Sequence, residues 1–378
     1  MNFFEPELIN DPYPTYARWQ AEHPIFRAED TGQWILTRHA DVRSVLKSSV
    51  DYSSRAMGEQ GTALPLLTDD PPKHTQLRAL VDRAFTMRML KLMEDWVEQL
   101  ATEMVGNLPA GEPVDIVQAL TIPLPVAVIS RMMGIPAERT DDFKRWSDAL
   151  TGTLAGASME DRQQEILEMA AFFQDMIPTR RSAPGDDLIS SVANAEIDGE
   201  RLTDQEIVGF CILLLIAGNE TTTNLLGNLF NIATDRPDLW SALAADSKLI
   251  DAAIEETLRF DAPVQFLMRK ATRPMHYHGQ DVAAGENVTV VMAAANRDPD
   301  VYERPDEFRL DRKKNHHHTF GFGIHFCIGA PLARMEARMV LRALTERFAK
   351  VERAPGENER VASPLLRGFH HLWLTLSE

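Results

Sequence analysis

The sequence predicts a mainly helical protein with a small β subdomain, and three observations carry that expectation. Apolar residues recur at helical spacing through 86–108, 120–133, 137–150 and 159–181. A longer helical pattern starts at the capping-box spacing Thr203-Asp204-Gln205-Glu206 and runs to about residue 234, before Arg236-Pro237. Strand-like runs gather late, at 269–277, 288–291 and 372–376, with turns at His278-Gly279 and Ala284-Gly285.

The 378 residues suffice for one large domain or two ordinary ones, and 44% hydrophobic residues supply a substantial core. We read 1–378 as a single domain. Net charge of −17, from 39 Lys and Arg against 56 Asp and Glu, argues against nucleic acid as the main partner. No basic start followed by an apolar run marks a signal peptide or anchor. The most apolar stretch, 208–217, is about half a membrane span and reads as core helix, so no membrane partner is expected. Two cysteines, Cys211 and Cys327, make no disulfide framework, which fits a reducing cytoplasm. Cys211 reads as a small core hydrophobe.

In chain order, 14–22 reads as a short helix, 25–27 with 34–37 as a hairpin turning at Thr31-Gly32, and another short helix follows. Residues 50–67 lack periodicity and carry Gly58, Gly61 and Pro65, so they form a loop and a candidate binding-site wall. Arg55 within it reads as an exposed loop arginine. Asp51, Asp69 and Asp70 read as solvent or capping residues. Asp69-Asp70-Pro71-Pro72 opens a helix that carries His74 and Arg78 one turn apart on one polar face, either a solvated side or an anion site.

Inside the long helix, Ala217-Gly218-Asn219-Glu220-Thr221-Thr222-Thr223 is poor helix-interior composition. It marks either a locally opened turn at a functional site or a notch where another helix crosses. Glu256 and Arg259 stand at i, i+3 on a further helix, and 296–315, rich in Asp, Arg and Pro, reads as an ordered meander.

The meander leads to Phe320-Gly321-Phe322-Gly323-Ile324-His325-Phe326-Cys327-Ile328-Gly329, followed by helical spacing at Leu332, Met335, Val340, Leu341, Leu344 and Phe348. Gly321, Gly323 and Gly329 permit conformations and close approaches that a side chain forbids. Cys327 therefore precedes a helix N-terminus, whose positive end favours a thiolate, the form that binds a metal. His316-His317-His318 with His325 and Cys327 would suit zinc, but zinc leaves the glycine frame and the long helix unexplained.

This F-G-x-G-x-H-x-C-x-G loop resembles the heme-binding signature of the cytochrome P-450 family of heme-thiolate monooxygenases. It is joined, in the family's order, by His74 and Arg78 as H-x-x-x-R, by A-G-x-E-T-T at Ala217–Thr222, and by Glu256 and Arg259 as E-x-x-R. The resemblance covers nearly the whole chain and looks like a soluble bacterial member. It implies a P-450 fold, with heme b between the long distal helix and the helix after the cysteine loop. Cys327 would be the iron ligand, and a thiolate pushes electron density onto iron. Phe320 would pack on the sulfur side, with Gly321 and Gly329 framing the loop. His74, Arg78, Arg269 and His325 are the candidates for the heme propionates. Gly218 would give dioxygen room, while Glu220 and Thr221 would deliver protons. Glu256 and Arg259 would join a buried network with the meander, through Arg312; Asp306-Glu307-Phe308 lacks the arginine that similar chains often carry there.

The resemblance further implies oxygen insertion into an organic substrate, with two electrons from a ferredoxin and a separate reductase. Arg334, Arg338 and Arg342, with Arg83 and Arg88, would dock that donor. Substrate contacts are expected in 50–67, 146–158, 213–221, 264–267 and 365–366, which are largely apolar and suit a compact or medium-sized hydrophobic molecule. A peroxide-dependent peroxygenase and a non-enzymatic heme sensor share the cysteine loop and are the alternative readings.

Overall fold

The computed structural model describes residues 1–3, 6–58, 64–154, 162–197, 199–313 and 315–378, and divides the chain into two units. The loop expected at 50–67 and the turn expected at 146–158 lie partly outside the described residues.

The first unit comprises Met1–Thr75, Glu255–Cys327 and Arg360–Arg367. Its sheet orders the strands Ile25–Arg27, Trp34–Leu36, Asn287–Val290, Leu267–Ala271 and Tyr52–Ser53. The first pair forms the expected hairpin, with Gly32 at φ +67. Asn287–Val290 lies parallel to Trp34–Leu36 and antiparallel to Leu267–Ala271, which sets Arg269 opposite Val288. Side chains alternate between two apolar layers, as a period of two requires. Trp34, Leu36, Val288 and Val290 pack with Val42, Val45 and Leu46 of the helix His39–Lys47. Ile35 packs the other way, with Tyr16 and Trp19 of the helix Tyr13–Glu22.

A buried ionic network crosses this unit from the helix Ile250–Phe260 to the meander. Arg259 and Glu256, 0% and 1% exposed, form a bidentate pair at 2.7 and 2.8 Å. Glu256 also accepts from Arg312 Nε at 2.8 Å, the Arg309 amide at 2.9 Å and Asn315 Nδ2 at 3.2 Å. The third partner expected of the meander is thus Arg312, although no arginine precedes Phe308. The remaining Arg259 donors reach the carbonyls of Asn296, Pro305 and Glu307 at 3.1, 2.8 and 3.0 Å.

The second unit comprises Gln76–Ile254, Ile328–Glu359 and Gly368–Glu378. Its main element is the helix Asp204–Asp235, opened by the expected capping box of Thr203 and Glu206. Among the described residues it is the one helix long and apolar enough to cross a membrane. Its apolar run is built into the protein core, where Phe210, Cys211, Leu214 and Leu215 are buried. Burial pushes the Cys211 thiol up, keeping it protonated, as a core hydrophobe should be.

Of the two readings of 217–223, the opened turn is absent, because the helix is continuous there. Thr221 Oγ1 donates to the Ala217 carbonyl of its own helix at 2.7 Å, and Thr223 Oγ1 reaches the Thr121 carbonyl at 2.8 Å. The notch reading holds instead. A Cβ on Gly218 would lie 2.5 Å from Ile129 Cδ1 on the helix Pro123–Met132. The distortion sits in the neighbour, where Val117–Thr121 forms a π-helical turn. Two strands that the sequence pattern did not mark, Pro113–Asp115 and Lys350–Arg353, flank the C-terminal strand Trp373–Ser377.

Two outcomes follow from these networks. Glu256→Ala strands the buried Arg259 cation and should cost about 3–5 kcal/mol in denaturant unfolding, whereas a loss below about 1 kcal/mol would contradict the network's role. The His318 ring lies 4.3 Å from that of His39, tilted by 34°, and burial, followed by the neighbouring histidines, lowers it from 6.5 to about 3. The folded state then resists a proton that the unfolded chain accepts, so stability is full above about pH 6.5 and falls as pH drops toward 3. Thermal unfolding between pH 7 and 5 should therefore depend less steeply on pH in His318→Phe than in the parent.

Candidate cofactor and catalytic site

The cysteine loop hangs from the ionic network by way of Asn296. Its carbonyl accepts from Arg259, its Oδ1 takes the His318 amide at 2.7 Å, and its Nδ2 donates to Thr319 Oγ1 at 2.9 Å. Thr319 Oγ1 in turn donates to the Leu258 carbonyl at 2.6 Å. From that anchor the chain turns through Gly321 at φ +73, and the Cys327 amide closes the loop on the Phe320 carbonyl at 2.9 Å. Gly323, also left-handed at φ +77, is required for a second reason: a Cβ there would stand 2.6 Å from the Leu46 carbonyl at the end of the helix His39–Lys47. Gly329 caps the helix Ala330–Arg347 at φ −80, a conformation open to any residue, so backbone freedom does not explain that glycine. Cys327 is exposed, two positions before this cap, and Phe320 is half-buried near the rings of His317 and Phe326.

Beside the loop, the first unit gathers three of the four predicted cationic residues. The rings of His74 and His325 lie 4.1 Å apart, and His325 Nε2 meets Ser54 Oγ at 2.9 Å. Burial first, then the charges of Arg269 and His74, lower His325 to about 3. Arg269 is 3% exposed and donates to the Met268 carbonyl at 2.8 Å and to Met57 Sδ at 3.5 Å. Among the described residues no carboxylate comes within ion-pair distance of it, and burial pushes it down to about 10 against the weaker field of Asp70. A buried guanidinium with imidazoles beside it and no carboxylate partner suits a carboxylate-bearing group, so the donor set fits the propionates of heme. Arg78, in the second unit, is paired with Asp82 at 2.9 Å.

Sequence reasoning missed Ser54, because its partner is 271 residues away and nothing local marks it. It also understated Asp70, which takes the Ser54 amide at 2.8 Å and so fixes the turn that holds His325. Arg55 is exposed, as expected, and sits 3.6 Å from Asp70.

In the second unit, Glu220 and Thr221 are neighbours on the long helix. Glu220 is 7% exposed, and its Oε1 accepts from Asn224 Nδ2 at 3.4 Å. Thr221 is half-buried, and its donation to Ala217 leaves the oxygen lone pairs available as an acceptor. Gly218 admits the close approach of Ile129, whose Cδ1 would lie 2.5 Å from a Cβ there. Of the predicted docking arginines, Arg338 is engaged with Asp251 at 2.7 Å and Arg83 with the Glu196 carbonyl at 3.1 Å, while Arg88 and Arg342 are exposed and Arg334 is half-buried. No group of three or more His, Cys, Asp or Glu residues able to hold a metal ion occurs among the described residues, so the zinc reading gains no support.

The family model for cytochrome P450 matches residues 22–363. The cytochrome P450 monooxygenase PikC of Streptomyces venezuelae is 38% identical over 382 residues, which cover 97% of this chain and 91% of that protein. The structure of cytochrome P450 CYP109Q5 from Chondromyces apiculatus superposes with a TM-score of 0.93 at 34% identity, covering 100% of this chain and 98% of the other. CYP109E1 from Bacillus megaterium, solved in complex with testosterone, gives a TM-score of 0.89 at 37% identity, over 97% and 99% of the two chains. The family implies heme, and with the cysteine loop, the buried Arg269 and these matches in hand, the chain belongs to the cytochrome P450 family, with its fold and its monooxygenase, oxidoreductase activity.

Proposed function

We propose that the whole chain, 1–378, acts as one cytoplasmic heme b monooxygenase domain. It inserts one oxygen atom of dioxygen into a small to medium, largely apolar organic molecule, with two electrons from a ferredoxin and its reductase. The observation that carries this reading is the buried, carboxylate-free Arg269 beside His74 and His325, in the unit that holds the Cys327 loop.

When bound, heme supplies the activation of dioxygen that no amino-acid side chain provides. Cys327 holds the iron through Sγ, framed by Phe320, Gly321 and Gly329. Arg269, His74 and His325 hold the carboxylates by charge-assisted hydrogen bonds, with Arg78 as a further donor. Ser54 Oγ, 2.9 Å from His325 Nε2, fixes the orientation of that ring. Glu220 and Thr221 would form the proton relay for the oxygen chemistry that heme supplies; to hand a proton on, the Thr221 hydroxyl would turn from the Ala217 carbonyl to which it now donates.

The substrate range reaches to steroid size, in keeping with the testosterone complex of CYP109E1. The apolar residues of 264–267 and 365–366 would exclude water around it. Arg88, Arg342 and Arg334 supply positive charge for an acidic donor on a chain of net charge −17.

Turnover under labelled dioxygen should place one labelled oxygen in the product; product labelled from water would refute oxygen insertion. Thr221→Ala should keep heme and substrate binding yet cut product formation by about tenfold or more, with the electrons appearing as hydrogen peroxide. Unchanged coupling of electron use to product would remove Thr221 from the proton path.

A further inference from the structure

Two backbone segments meet beside Arg269. Val264 and Leu366 form an antiparallel bridge, the Gln265 amide donates to the Leu365 carbonyl at 2.9 Å, and the Arg367 amide donates to the Pro263 carbonyl at 2.9 Å. Val264 and Leu267 are apolar yet only partly buried and pack on the layer of Trp34, Leu36 and Val288, with Leu366 facing Val264 across the bridge, while Leu365 packs on the opposite layer. Leu267 and Arg269 lie two apart on the strand Leu267–Ala271, hence on one face of it. The apolar strip thus adjoins the residue assigned to the heme carboxylates.

What fixes this strip lies behind it. Asp261, 4% exposed, takes a hydrogen bond from Arg367 Nε, with Arg360 at 4.0 Å and the Tyr13 hydroxyl donating at 2.9 Å. Burial raises the Asp261 carboxyl, but the fields of Arg367 and Arg360 and the Arg367 hydrogen bond outweigh it and hold the group ionised. The other end of Arg367 caps the helix Pro6–Asn10 through the carbonyls of Ile9 and Asn10, at 3.2 and 3.1 Å. Arg297 stacks on Tyr13 at 3.5 Å and donates to the Phe260 carbonyl at 2.9 Å, holding the end of the helix that delivers Asp261. A buried ion pair accordingly sets the spacing of the 261–267 and 363–367 segments, and the N-terminal helices tie it in place.

We propose that Asp261 and Arg367, with Tyr13, are positioning residues for substrate discrimination. They touch neither substrate nor cofactor and act through Val264 and Leu366, whose separation they fix. The proposal rests on the heme monooxygenase reading above and adds to it the residues that set the width of its apolar wall.

The test is optical titration of the heme-loaded enzyme with imidazole and with 4-phenylimidazole, which share a ligating nitrogen and differ by a ring that must fit the wall. Asp261→Asn should retain heme and the carbon monoxide band of the parent. The ratio of the two dissociation constants should shift by about threefold or more, as expected for losing a charge-assisted contact. Hydrogen exchange at the Gln265 and Arg367 amides should accelerate with it. Should Asp261→Asn fail to fold, Tyr13→Phe, which removes one hydrogen bond and keeps the ion pair, should shift the ratio and the exchange in the same directions. Faster exchange with an unchanged ratio would overturn the proposal and leave a purely structural clamp, as would no change in either. A parent enzyme that binds neither azole would overturn the heme reading itself, and this proposal with it.

Discussion

The first unit depends on one interaction, the buried pair of Glu256 and Arg259. A carboxylate without exposure is tolerable only when its lone pairs are fully used. Glu256 meets that condition with Arg259, Arg312, Asn315 and the Arg309 amide. Arg259 spends its other donors on the carbonyls of the meander, including Asn296, and Asn296 carries the start of the cysteine loop. The position of Cys327 is thus set by a charge that never approaches it. The meander has little regular structure, so these side chains do for its backbone what ladder hydrogen bonds do in a sheet.

The same logic reads in reverse at Arg269. This guanidinium is as buried as the Glu256 network, yet among the described residues no carboxylate is within ion-pair distance. Its burial becomes intelligible when an external anion completes it. A second buried pair, Asp261 and Arg367, is complete within the protein and ties segments more than one hundred residues apart in sequence. The Asp261 network is complete within the protein; Arg269 is left with donors that an external carboxylate would use.

Much of the fold was legible in the sequence, because helices carry their period locally and the cysteine loop packs its signals into ten residues. The capping box at Thr203, the turn at His278-Gly279 and the pairing of Glu256 with Arg259 all rest on short-range rules. What escaped was set by distant partners. Threonines 221 and 223 looked like helix breakers, but each hydroxyl has a fixed acceptor, Ala217 in its own helix and Thr121 in another. The close approach of Ile129 to Gly218 comes from another helix and leaves no local mark. Ser54 and Tyr13 carry no local sign of their partners, which lie 271 and 248 residues on.

The central claim is that Cys327 holds heme iron as a thiolate, with Arg269, His74 and His325 on the carboxylates. It is tested most directly by the absorption spectrum of the reduced protein under carbon monoxide. The account predicts the strongly red-shifted Soret band of a thiolate-ligated heme, lost in Cys327→Ser. A band at the position given by histidine-ligated heme, or a red-shifted band that survives Cys327→Ser, would contradict it.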